Sequence, residues 1–199
     1  VGIDYSQQPV YFRPAQAGDI CILLEPTDRH EIDHLRRLQA ALQRRYGGTP
    51  IERIHLACQR FACAGEAQLQ GLIRSLADTL AGVSSPTFAA LSLDTLYVSL
   101  MDTNTLRWRI QVTEGLRELS ATFECVLHSK SIDSLYRPGF VSSLIAALKD
   151  MPEVDRAHLG GVDLPCELFT ARQAILSRIL GPNEFEILTT LRFAHRRRA

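Results

Sequence analysis

The chain has 199 residues, 46% hydrophobic and 22% charged, which is enough for one unit with a substantial core and short for two independent domains. Its 22 basic and 22 acidic side chains cancel, so no bulk attraction to nucleic acid or to a membrane surface follows from net charge. No apolar run approaches the ~20 residues that a membrane helix requires.

Lys130 and Lys149 are the two lysines, so arginine supplies the other 20 of the 22 basic residues, a bias that suits bidentate phosphate contacts wherever one lines a site. The five cysteines (21, 58, 63, 125 and 166) are odd in number and lack metal-ligand spacing, which predicts reduced thiols and a cytoplasmic setting. Val1 at the start leaves room for a trimmed leader.

Taken in order, residues 1–18 carry Gly2, Pro9, Pro14 and Gly18 with no period and read as an extended arm. Residues 19–25 form a nearly continuous apolar run of strand length stopped by Pro26. Thr27 or Asp28 then caps a helix whose apolar face is Ile32, Leu35, Leu38, Leu42 and Tyr46, ended by Gly47-Gly48. Arg36, Arg37, Arg44 and Arg45 lie mostly off that face, as on an ordinary solvated helix.

A short strand around His55 follows, then a second amphipathic helix through Leu69, Leu72, Ile73, Leu76 and Leu80. Residues 88–93, 95–100 and 106–112 read as a meander, with a turn at 102–104. Helical period returns over 114–127. Residues 128–155 contain Tyr136-Arg-Pro-Gly139 and a short predicted helix over 141–149. A strand around His158, a helix through Leu168, Ala171, Ile175 and Ile179, and a strand over 185–193 close the chain before the basic tail 194–199.

In this reading the order strand, helix, histidine strand, helix, strand occurs twice, with 128–155 as an insert in the second copy. Period-2 alternation puts His55, Ala57 and Gln59 on one face of the first histidine strand, and His158, Gly160 and Val162 on one face of the second. Two such lobes facing each other would bring His55 and His158 to opposite sides of one cleft. An imidazole titrates near neutrality, so one of a pair can accept a proton while the other donates one. That division of labour suits in-line attack on a phosphodiester with no metal or cofactor.

The tetrads His55-Leu-Ala-Cys58 and His158-Leu-Gly-Gly161, set in this order of elements, resemble the 2H phosphoesterases, the family of 2'-5' RNA ligase-like proteins and 2',3'-cyclic phosphodiesterases. The resemblance covers roughly residues 19–193. It implies an α+β fold of two pseudo-twofold lobes, each an antiparallel sheet with helices on its outer face, around a central cleft. It implies His55 and His158 as the acid and base, and a nucleotide or RNA-end phosphate as ligand.

The family's threonine or serine two places after each histidine is replaced here by Ala57 and Gly160. Loss of one donor to a transferring phosphoryl group costs on the order of 2–4 kcal/mol, if it resembles loss of an oxyanion donor. Gln59, the backbone around Gly160 and Gly161, Lys130 and Arg137 are the candidate substitutes. The missing hydroxyls also raise a second possibility, a catalytically impaired module of this fold that binds a nucleotide, an RNA end or a partner protein. An alternative second motif, His128-Ser-Lys130, is set aside because no helix and strand follow it in the expected order.

Overall fold

The computed structural model describes residues 10–11, 13–98, 102–137, 143–153, 158–160, 163–181 and 184–194. The apolar run after Gly18 forms strand β2 (Ile20–Pro26), buried on both faces from Ile20 to Leu24. Helix α1 (Arg29–Tyr46) starts where Asp28 accepts hydrogen bonds from the backbone N–H of His30 at 2.9 Å and Glu31 at 3.4 Å. It buries Leu35 and Leu42, with Gln39 between them donating to the carbonyls of Ile51 and Ala147 at 2.8 Å each. The exit needs glycine: Gly48 has φ +81°, and a Cβ there would lie 2.5 Å from Met151 Sδ and 2.8 Å from the Lys149 carbonyl.

The chain continues through β3 (Thr49–Pro50), β4 (Leu56–Phe61), α2 (Glu66–Leu80), β5 (Thr87–Val98), β6 (Thr103–Ile110) and α3 (Glu114–Ser129). It ends with β7 (Ser134–Arg137), β8 (Ser143–Lys149), β9 (Cys166–Gly181) and β10 (Glu184–Arg192); β1 is Val10–Tyr11. These strands are paired antiparallel in the order β1-β7-β4-β2-β9-β5-β6-β8-β3, with β10 on the side of β9. The long β9 joins the lobes, because residues 166–170 pair with β5 and residues 171–178 with β2.

The pseudo-twofold is visible in the order of elements. β2-α1-β3-β4 and β6-α3-β7-β8 are the same unit, and the short third strand of each is exchanged: β3 pairs with β8, and β7 with β4. One apolar core runs through both lobes under the helices, with Phe61, Phe88, Trp108, Phe123 and Phe169 each no more than 1% exposed. The α+β class and the two-lobed arrangement are as the sequence predicts. Among the described residues no helix is long and apolar enough to cross a membrane.

Several boundaries differ from expectation. The predicted helix over 141–149 is strand β8, and the predicted helix through Leu168 and Ile179 is strand β9. Both stretches favour helix in composition but lie between partner strands, and burial of Ala174 to Ser177 on both sides of β9 erases the period of two. The two predicted strands over 88–93 and 95–100 are one strand, β5. Among the described residues the strand predicted around His158 is not formed: His158 sits in an exposed 3₁₀ turn between β8 and β9. Residues 128–155 are therefore not an insert, since they supply β7 and β8, the counterparts of β3 and β4.

Candidate functional site

His55 stands just before β4, and the ladder decides what shares its face. Leu23 pairs with Ala57 while its neighbour Ile22 pairs with Gln59, so Cys58 is an extra residue in a β-bulge. Paired residues point the same way and neighbours along a strand point opposite ways, so Ala57 and Gln59 face opposite sides. Ala57 packs on Leu23 on the sheet's open face, away from the helices, whereas Gln59 shares the core side with Ile22. This corrects the expectation that Gln59 joins His55. Gln59 is fully buried, and its Oε1 accepts from Ser134 Oγ at 2.5 Å.

The His55 ring is half-buried, and its Nδ1 lies 2.9 Å from the Arg53 carbonyl. A carbonyl only accepts, so Nδ1 carries the proton and the neutral ring keeps its lone pair on Nε2. Burial drives the imidazole down to about 4, the bond to the Arg53 carbonyl opposes this, and the Arg53 and Arg107 charges push in the same direction as burial. At neutral pH His55 is an acceptor and not an acid.

Arg53 crosses the open face of the first lobe, donating through Nε to Glu25 and through an η nitrogen to Ser177 Oγ at 3.3 Å. The second lobe contributes arginines from β6. Leu106, Trp108 and Ile110 enter the core, so Arg107 and Arg109 share the opposite face. Arg107 Nε donates to Thr105 Oγ1 at 2.8 Å, and Arg109 is ion-paired with Asp94. The Arg53 and Arg107 guanidinium groups thus act on a neutral imidazole, a donor set suited to one phosphate.

The twofold counterpart of His55 is not a histidine. Cα atoms of β4 and β8 come within 8 Å of each other, and β8 places Leu144 opposite Arg109 and Ala146 opposite Arg107. Leu144 and Ala146 are half-buried on the open face, while Ile145 and Ala147 between and beyond them are fully buried. The same alternation holds for His55 and Ala57, with Leu56 and Cys58 in the core. By face and by order, Leu144 matches His55, and Ala146 matches Ala57.

The other predicted site residues are scattered. Gly160, two residues from His158, is clamped by the Tyr46 hydroxyl, which donates to its carbonyl at 2.8 Å and accepts from its N–H at 3.0 Å. That anchor is the C-terminal end of α1. The segment leading to His55 is held ten residues earlier on the helix, by Arg36 bonded to the Ile51 and Glu52 carbonyls, about 15 Å of helix rise away. Lys130 follows the end of α3, where its carbonyl accepts from Gln68 of α2 at 2.9 Å. His128, the alternative, lies in the last turn of α3. Arg137 ends β7, and its side chain, like Gly161, lies outside the described residues. Arg107 is not among the residues the sequence singles out; the signal for it is the strict alternation Leu-Arg-Trp-Arg-Ile over 106–110.

No family model and no curated protein matches this chain. Solved structures do. E. coli LigT in apo form is 14% identical with a TM-score of 0.57, covering 91% of this chain and all of its own. A protein of Thermus thermophilus is 17% identical with a TM-score of 0.56 over 89% of this chain and 99% of its own. Usb1 of Kluyveromyces marxianus is 12% identical with a TM-score of 0.56 over 90% of this chain and all of its own. LigT has also been solved with 3'-AMP, ATP and NADP+. At these identities the likeness concerns the fold.

Proposed function

We propose that this chain, which has the 2H phosphoesterase fold, binds the phosphate of a nucleotide or RNA end beside His55 and does not cleave phosphodiesters with a histidine pair. The observation that carries this is Leu144. The pseudo-twofold sets an aliphatic side chain where a second imidazole would complete the acid–base pair, and Ala57 and Ala146 offer no hydroxyl to the phosphate. The Nδ1–H bond to the Arg53 carbonyl turns Nε2 toward a ligand as a proton acceptor, and with leucine at 144 no second imidazole stands opposite to protonate a departing oxygen. Arg107 and Arg53 supply charge and planar donors, and the LigT complexes with nucleotides support that class of ligand on this fold.

Calorimetry with 3'-AMP and a turnover assay with a 2',3'-cyclic nucleotide test the reading. His55→Ala and Arg107→Ala each weaken 3'-AMP by about tenfold or more, roughly 1.4 kcal/mol, while His158→Ala stays within about twofold. The cyclic nucleotide is bound and not turned over. Turnover abolished by both His55→Ala and His158→Ala would overturn the proposal in favour of paired-histidine catalysis.

A further inference from the structure

Among the described residues β10 pairs with β9 alone, so its other edge carries no strand from Glu184 to Arg192. That edge has neither the lysine nor the proline that usually blunts a free strand. Two exposed large hydrophobic residues, Leu180 at 52% and Ile187 at 57%, lie on the β9–β10 hairpin. The ladder fixes which backbone groups of β10 point outward. Phe193 N–H donates to the Arg172 carbonyl at 3.2 Å, so by alternation Thr189 and Leu191 also turn to β9, and Thr190 and Arg192 turn away. Past the bulge at Leu188 the parity changes. Ile179 N–H donates to the Asp19 carbonyl at 2.8 Å, so Arg178 is turned to Glu186 of β10, and Phe185 and Ile187 turn away. All four outward residues lie on the open face, opposite Ile179, Ser177, Ile175 and Gln173, since Ala174 and Leu176 enter the core.

We propose that β10 pairs with β10 of a second copy of this chain, antiparallel about a twofold axis between Leu188 and Thr189, making one sheet across a homodimer. The spacing of the outward residues, 185 and 187 then 190 and 192, is what selects a copy. A regular strand presents its groups at every second residue and matches only one half of this edge. The same bulged strand, reversed, presents the same spacing. Phe185 then meets the partner's Arg192, a ring beside a guanidinium, and Ile187 meets the partner's Thr190 and loses its exposure. Glu184 and Glu186, both exposed, come beside Arg192 of the partner subunit, so the two edges attract each other. The free edge also has the right length: the Val83 carbonyl accepts from Ala194 N–H at 2.9 Å and closes it just beyond Arg192. The dimer does not depend on what binds beside His55.

Sedimentation velocity on the full chain, over an about hundredfold range of concentration, tests the pairing. Wild type passes from one chain to two as the concentration rises. Thr190→Pro removes an N–H that points away from β9, so the monomer keeps its ladder while the dimer Kd rises about tenfold or more. Ile187→Glu, at an exposed position and without any change to the backbone, weakens the dimer by about as much. Adding Thr190→Arg, which sets a positive charge opposite it across the axis, brings the Kd back to within about threefold of wild type. A chain that stays single over the whole range overturns the proposal. So does a dimer that Ile187→Glu or a folded Thr190→Pro leaves within about twofold of wild type, because the contact would then lie elsewhere. Failure of Thr190→Arg to rescue Ile187→Glu overturns the twofold register, and with it the selection of a second copy.

Discussion

His55 and Leu144 occupy equivalent positions in the two copies of one folding unit. Each is half-buried on the open face and directly precedes a core residue, Leu56 at 2% exposure and Ile145 at 0%. The backbone symmetry survives while the side chains differ, because the core residues of β4 and β8 hold the strands in place whatever the open face carries. The chemistry of this face can therefore change at little cost to the fold.

That independence lets paired-histidine chemistry be built onto this face. Leu144→His combined with Ala57→Thr and Ala146→Thr places two imidazoles and two hydroxyls on the open face. Each hydroxyl is worth on the order of 2–4 kcal/mol toward a transferring phosphoryl group. The triple variant should hydrolyse a 2',3'-cyclic nucleotide measurably faster than wild type, and His55→Ala in that background should remove the gain. A folded triple variant with no gain would show that Leu144 is not the counterpart of His55.

Stability should depend on pH through His55. Its folded pKa of about 4 lies below the ordinary value of 6.5, so between those values the unfolded chain binds a proton that the folded chain refuses. Stability is then complete above pH 6.5 and falls as the pH drops toward 4. The full shift corresponds to roughly 3 kcal/mol, and partial exposure of the ring brings the expectation to about 1–2 kcal/mol. Urea unfolding at pH 7 and pH 5 should show a smaller loss in His55→Gln than in wild type. An equal loss in both would remove His55 as the cause.

The N-terminal segment is tied down by charge. Asp19 is 1% exposed and receives Arg13 through two nitrogens, at 2.9 Å and 2.5 Å, with Arg60 Nε at 3.6 Å. Arg60 itself is nearly buried and also donates to the carbonyls of Arg13 and Leu135. Asp19→Ala leaves the Arg60 charge buried without its counterion and should cost about 3–5 kcal/mol in equilibrium unfolding. A loss below about 1 kcal/mol would mean that water reaches Arg60 in place of the carboxylate.

Local chemistry made much of this protein readable in advance. The apolar run of β2, the Asp28 cap, the spacing of Leu35 and Leu42, the glycine exit at 47–48 and the placement of His55 at the head of a strand are set by residues a few positions apart. Tertiary structure alone decided the rest. Ser143–Lys149 is rich in alanine and leucine and is a strand because β6 and β3 take up its backbone hydrogen bonds. Ladder register, with its bulge at Cys58, turned Gln59 away from His55, and the exchange of β3 and β7 between lobes made Leu144 its counterpart instead of His158. Side-chain periodicity reports which face of one segment is apolar. Which distant segment lies beside it depends on backbone pairing across the whole sheet, and a strand buried on both sides gives no alternation to read.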